Sequence, residues 1–261
     1  MKRFLSVSVL CLAAVGSCFS ASIDFDQLKS RLSDIYVKPL AKDIGSVLGG
    51  DMFHSGRSIG TFLCGIPRFE IGVGVAGALK PSKDDVILKE GFGSPANPKD
   101  QMFGLPFAQV ALGLPLGVDV AVRGAPEYQG LKLLGGGVKY CLYQKSFVVT
   151  SLGLSAMYTY NRLEYKSFEA DTNSIGGMFS VKVPGIEPYA GVAVDYTKLD
   201  TQFSPAELAA ASSHLNISAK TSQVRYVAGI NFSLFPFTYV NVEGTSLGDH
   251  YGVDAGLGLK F

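Results

Sequence analysis

From Arg68 to Phe261 apolar and polar residues alternate with a period of two, and the charged residues of those stretches keep to one parity. Successive side chains of an extended strand point to opposite faces. In the last eleven residues, Tyr251, Val253, Ala255, Leu257, Leu259 and Phe261 share one face. Gly252, Asp254, Gly256, Gly258 and Lys260 share the other. Arg68, Glu70, Asp119, Arg123, Lys139, Lys182, Asp195, Arg225, Glu243, Asp254 and Lys260 all fall on the polar side of their strands. A Lys or Arg on the opposite face at mid-bilayer would cost about 2–4 kcal/mol. The pattern therefore predicts a sheet with one face against hydrocarbon. That sheet has to close, because an open edge in lipid leaves backbone hydrogen bonds unmade.

The alternation runs through Phe69–Ala76, Val118–Arg123, Leu134–Tyr143, Val148–Asn161, Ile175–Val183, Ala190–Tyr196, Val224–Leu234, Val240–Gly244 and the terminal strand, with a weaker stretch at Phe107–Leu112. The expectation is all-β: a transmembrane, antiparallel, up-and-down barrel of about ten strands. Eight or twelve remain open because 83–87 and 107–112 are ambiguous. Short links at Leu114–Gly117, Gln144–Ser146, Pro184–Glu187 and Phe235–Phe237 alternate with longer polar links at 80–104, 124–130, 162–172, 198–220 and 245–250. Short periplasmic turns and long extracellular loops alternate in this way in bacterial barrels. On that topology Tyr158, Tyr160, Tyr196, Tyr226 and Tyr251 gather at the extracellular strand ends. Phe69, Tyr140, Phe235 and Phe261 gather at the periplasmic ends. Such rings favour a lipid–water boundary, and here Tyr and Phe stand in for Trp, which the chain lacks.

Residues 1–20, with Lys2 and Arg3 ahead of the apolar run Phe4–Val15, are expected to be a secretory signal peptide. A lipidated Cys18 is the competing reading, which Gly16 fits poorly. Residues 21–60 form a separate amphipathic helical segment. Phe25, Leu28, Leu32 and Ile35 recur at helical spacing, Leu40, Ile44 and Val47 continue the stripe, and a break is expected at Val37–Lys38 before Pro39. Such a segment is expected to lie on the periplasmic mouth or to form a loose linker; insertion into the lumen is the alternative. Residues 61–261 form the barrel. Cys64 and Cys141 pair or stay as buried thiols. Near-zero net charge without a basic stripe argues against nucleic acid, and no Cys or His spacing suggests a metal or other cofactor.

Strands ~4.8 Å apart and tilted about 40° give a ten-strand diameter of roughly 20 Å. Many inward positions are glycine, which leaves room for a narrow passage, water or a helix about 10 Å wide. The mixed lumen charges read either as a selectivity field or as a salt-bridged network. Asp249-His250 and His214 with Ser212 and Ser213 are the only candidates for rim hydrolysis, and two separated histidines without a placed nucleophile make no site. No enzyme is expected.

The region 61–261 resembles Gram-negative outer-membrane β-barrel proteins, on its terminal Phe261 strand, charge parity, loop asymmetry and export signal. The stretch Pro39–Gly45 with Phe53–Gly56 is similar to barrels that carry a helical prelude. The resemblance implies residence in the bacterial outer membrane, with both termini periplasmic. Contact with outer-membrane lipid follows, as does insertion by the barrel assembly machinery, which reads Tyr251, Val253, Leu257, Leu259 and Phe261. The expected function is a narrow channel or passive transporter for small or amphipathic molecules of unknown identity. An adhesive barrel and a rim hydrolase are the alternatives.

Overall fold

The computed structural model describes residues 34–49, 52–61, 66–78, 103–128, 131–165, 168–201, 217–233, 235–248 and 250–261. One helix, α1 (Asp34–Leu48), precedes ten strands among them. These are β1 (Arg68–Ala78), β2 (Phe103–Gly113), β3 (Val118–Tyr128), β4 (Leu131–Ser146), β5 (Ser151–Tyr165), β6 (Phe168–Lys182), β7 (Ile186–Thr201), β8 (Ile217–Phe232), β9 (Thr238–Leu247) and β10 (His250–Lys260). Each strand pairs antiparallel with its sequence neighbour. β10 closes the sheet on β1, from Glu70↔Lys260 to Ala78↔Gly252. The expected ten-stranded up-and-down barrel is the fold. Closure removes the edges that a sheet of this length would otherwise expose.

Parity decides which way each side chain faces. Ile71, Val73, Val122, Val138, Ile175, Val192, Val242 and Leu259 are exposed on the outside, while Asp119, Lys139, Asp195, Arg225 and Glu243 are buried inside. Tyr158, Tyr160, Tyr196, Tyr226 and Tyr251 ring the outside near the end that carries the longer links (the loop end). At the other end (the turn end) Phe69 stacks on Phe261 at 4.9 Å.

Three sequence expectations need correcting. Segments 124–130, 162–172 and 245–250 are mostly strand, since β3 reaches Tyr128, β5 reaches Tyr165 facing Phe168, and β9 reaches Leu247. Polarity there marks strand standing in water beyond the apolar belt. Outward charges do occur on it: Arg162 bridges Glu164, Glu169 and Asp171 on the outer face above Tyr160. Next, the β4–β5 turn is Phe147–Thr150 rather than Gln144–Ser146, with Phe147 N–H donating to the Thr150 carbonyl at 2.7 Å. A bulge between Cys141 and Tyr143 inserts one residue, which turns Tyr143 outward and moves Val148 from strand to turn. Finally, α1 runs through Pro39 without the expected break. Burial of Val37, Leu40, Ala41, Ile44, Val47 and Leu48 offsets the ladder bond that proline removes. The stretch 107–112 belongs to β2, whereas 83–87 lies outside the described residues.

The helix occupies the lumen, not the mouth. It packs on β1, β5, β6, β7, β8 and β10. Its apolar side forms a core with Leu105, Leu133, Leu163, Tyr165, Phe168, Ala170, Leu199 and Ala219, all near the loop end. Down the chain, the neighbours of the segment descend the wall: Gly45 lies against Thr197, Gly49 against Asp195, Gly56 against Gly153, and Gly60 against Gly113. The N-terminal segment thus threads the barrel from the loop end to the turn end before β1 begins.

Candidate functional site

Residues 52–60 cross the turn-end half of the lumen outside any helix or strand, and only at Gly60, whose carbonyl accepts from Arg68 N–H at 3.3 Å, does β1 supply a backbone partner. Buried N–H and C=O groups need partners, and the wall supplies them. Arg123 Nη2 donates to the Leu48 carbonyl at the end of α1, and Gln109 Nε2 donates to the Met52 carbonyl at 3.0 Å. Asn231 Nδ2 donates to the His54 carbonyl. Lys139 Nζ donates to the carbonyls of Ser55 (2.9 Å) and Arg57 (2.7 Å). Gly56 N–H donates to Ser180 Oγ (3.0 Å), Ser58 N–H to Gln144 Oε1 (3.1 Å), and Ile59 N–H to both Asp119 oxygens (3.0 and 3.1 Å). The approach is close at Gly56. A Cβ there would sit 2.6 Å from the carbonyl oxygens of Gly153 and Met178, so no larger residue fits without moving the segment.

The charges expected to line the lumen separate into two groups. Asp119, Arg123, Lys139, Asp195, Arg225, Glu243 and Asp254 are buried, and all but Asp254, whose one hydrogen bond among the described residues is from a backbone amide, meet polar or charged side chains. Lys139 meets Asp119 at 3.1 Å, and Arg225 Nε meets Asp195 at 2.8 Å with Ser174 Oγ donating to the same carboxylate. Arg123 Nε donates to Asn161 Oδ1 at 2.7 Å. Tyr189 Oη donates to Glu243 at 2.8 Å, with His54 Nδ1 3.5 Å from that carboxylate. Asp254 accepts the Gly77 amide at 3.2 Å. Neither reading of these charges anticipated that three of them, Asp119, Arg123 and Lys139, hold the backbone of the threaded segment. Arg68, Glu70, Lys182 and Lys260 instead line the wider space at the turn end, where Lys260 reaches Glu70 at 3.1 Å.

That space is a cavity of about 620 Å³, bounded on one side by the threaded segment and on the other by the turn-end rim. Met52, Phe53, Ile59 and Ala111 give it apolar wall; Arg57, Lys182, Lys260, Glu70 and Glu187 give it charge. Glu187 accepts from Ser55 Oγ (2.5 Å) and Ser180 Oγ (2.9 Å), while Arg57 Nη1 stands 3.6 Å away. Arg57 Nε is buried with no acceptor, a state that costs about 1–3 kcal/mol for a buried donor.

Sequence reasoning missed Gln109, Asn231, Ser180, Glu187, Tyr189, His54 and Arg57. The wall residues carry inward parity, a signal that was available; nothing in the pattern showed that His54 and Arg57 enter the barrel. Cys64, Asp249, His214, Ser212 and Ser213 lie outside the described residues, and Cys141 is a free thiol. No cluster with metal-ligand character occurs among the described residues. On the terminal strand Tyr251, Leu257, Leu259 and Phe261 are exposed on the outer face, and Val253 is half-buried.

A closed ten-stranded barrel with an apolar exterior and a peptide through its lumen defines a plugged barrel of the outer-membrane type. Within that class the chain belongs to a family of unknown function, DUF6588, which it matches over residues 85–261. No curated protein matches it. Among solved structures it is similar to the N-terminal β-barrel domain of Pseudomonas aeruginosa OprF, at 10% identity over 74% of this chain and 97% of that one, TM-score 0.35. The outer membrane protease OmpT from Escherichia coli shares 10% identity over 75% of this chain and 96% of its own, TM-score 0.37. The translocator domain of the autotransporter NalP from Neisseria meningitidis shares 10% over 88% and 100%, TM-score 0.37.

Proposed function

We propose that this protein is a gated conduit of the bacterial outer membrane, which passes small or amphipathic molecules when the segment 34–60 shifts within the lumen. The observation that carries the reading is how that segment is held. In the turn-end half its backbone hangs on side chains of at least five strands and bounds a cavity of about 620 Å³. Such hydrogen bonds exchange with water one at a time, the neutral ones contributing about 0.5–1.5 kcal/mol net and those to Lys139 and Asp119 about 1.5–3 kcal/mol. A partial release of the peptide would widen the cavity without unmaking the barrel.

The exterior supports the location. Its exposed Val, Ile and Leu side chains between the Tyr and Phe rings suit hydrocarbon, and β10 with Phe261 suits recognition by the assembly machinery. The turn end would face the periplasm, so that the cavity opens there. The side on which the N-terminus lies is read from an epitope placed at residue 22 in intact cells. The proposal assigns no catalytic chemistry. Conductance tests it: in planar bilayers, removal of residues 22–50 should raise the current through the refolded barrel severalfold, and unchanged traces would discard the gate.

A further inference from the structure

We propose that the turn-end cavity is a binding site for a small amphipathic carboxylate, a monoanionic head carried on an apolar body. Deeper in the lumen Lys139 and Arg225 sit on carboxylates at 3.1 and 2.8 Å, whereas of two cations on the cavity wall one has a single long ion pair and the other has none among the described residues. Arg57 Nε is buried without an acceptor, and its Nη1 stays 3.6 Å from Glu187, beyond hydrogen-bond length. Lys182 has no carboxylate partner among the described residues. The charges near enough to act on it are Arg57, Glu187, Lys260 and Glu70, and Lys260 already engages Glu70 at 3.1 Å. The two donors come from different elements, Arg57 from the threaded segment and Lys182 from the end of β6, yet both face the same space. Among the described residues Glu187 is the one carboxylate shared by these two cations, so one positive charge is left over, and an anion between Arg57 and Lys182 is attracted by both.

A carboxylate suits the guanidinium fork, which binds planar oxyanions through paired N–H groups. Glu187 and Glu70 on the same wall oppose a second negative charge, which favours a monoanion over a phosphate dianion. Beside these charges Ile59, Phe235 and Phe237 offer apolar surface to the body of the ligand, backed by the buried Met52, Phe53 and Ala111. A volume of about 620 Å³ lies in the usual range for a small-molecule site, roughly 300–1,000 Å³. The site rests on the conduit reading only for where its ligand travels; binding itself takes place with the plug seated.

Calorimetry on the full chain, folded into phosphatidylcholine nanodiscs, separates the two ideas. The probes are 4-phenylbutyrate and its uncharged counterpart 4-phenylbutanol, with empty nanodiscs subtracted. The carboxylate should bind at least tenfold more tightly than the alcohol. Lys182→Gln should bring the two within about threefold and leave the alcohol unchanged. Lys182 stands at the rim, and heat-modifiable migration on a gel verifies that the variant still forms the barrel. Equal affinity for both probes, no binding of either, or a carboxylate affinity indifferent to Lys182→Gln would overturn the site, whatever conductance says of the gate.

Discussion

The two halves of the lumen hold the same chain segment by different physics. At the loop end α1 buries Val37, Ala41, Val47 and Leu48 against Leu163, Ala170 and Leu199 in a continuous apolar core. At the turn end the segment has no secondary structure, and Asp119, Lys139, Gln109, Asn231 and Ser180 carry its backbone. Apolar packing is broad and non-directional, so the helix leaves only as a unit or not at all. The polar bonds of the turn-end half are directional and divisible, and the cavity lies beside them. Among the described residues, apolar contact there is confined to Met52, Phe53 and Ile59 against Ala111, Ala121, Met157, Met178, Tyr189 and Val227.

The largest effect should come from Asp119→Ala. It leaves Lys139 buried without its carboxylate and frees the Ile59 amide and the Ser58 hydroxyl. Breaking a buried pair from one side costs about 3–5 kcal/mol, to be read from urea unfolding in lipid vesicles. If the halves differ as described, proteolysis near Arg57 accelerates while α1 stays protected. Equal loss of protection in both would break the comparison.

Leu199→Ala tests the other half. Leu199 is fully buried against the helix, and its truncation should cost about 2–5 kcal/mol. Its effect on the 4-phenylbutyrate site should be nil. Combined with Asp119→Ala the two losses should add to within about 0.5 kcal/mol, since the two share no partner among the described residues; strong coupling would mean that the segment moves as one piece. The smallest effect belongs to Arg162→Ala. Its ion pairs with Glu164, Glu169 and Asp171 stand on the outer face in water, where such pairs contribute little. Unfolding midpoint and conductance should both stay where they are.

Much of this wall was legible in advance because period-two parity is a local property. Val138 outward and Lys139 inward follow from adjacency alone. The same parity failed after Cys141, where the bulge added one residue. It also misleads at Glu164–Glu169, where the parity inverts: Tyr165 and Phe168 face the core around the helix, and the polar outer face reads as loop. The lumen site was far less legible. Asp119 and Lys139 were visible as inward charges, but their partners lie in a segment whose own sequence shows only an interrupted helical stripe. Arg57 and His54 gained meaning only from where the chain carried them.

By itself the order of residues determined that one face of the sheet must meet an apolar medium, that the sheet must close, and that charges within the apolar belt must point inward. Those demands arise between neighbours along a strand and between a side chain and its solvent. Which object fills the interior was settled only by tertiary structure. Threading a segment through a barrel pairs residues far apart in sequence, such as His54 with Glu243 and Arg57 with Glu187, and no periodicity encodes a contact at that separation.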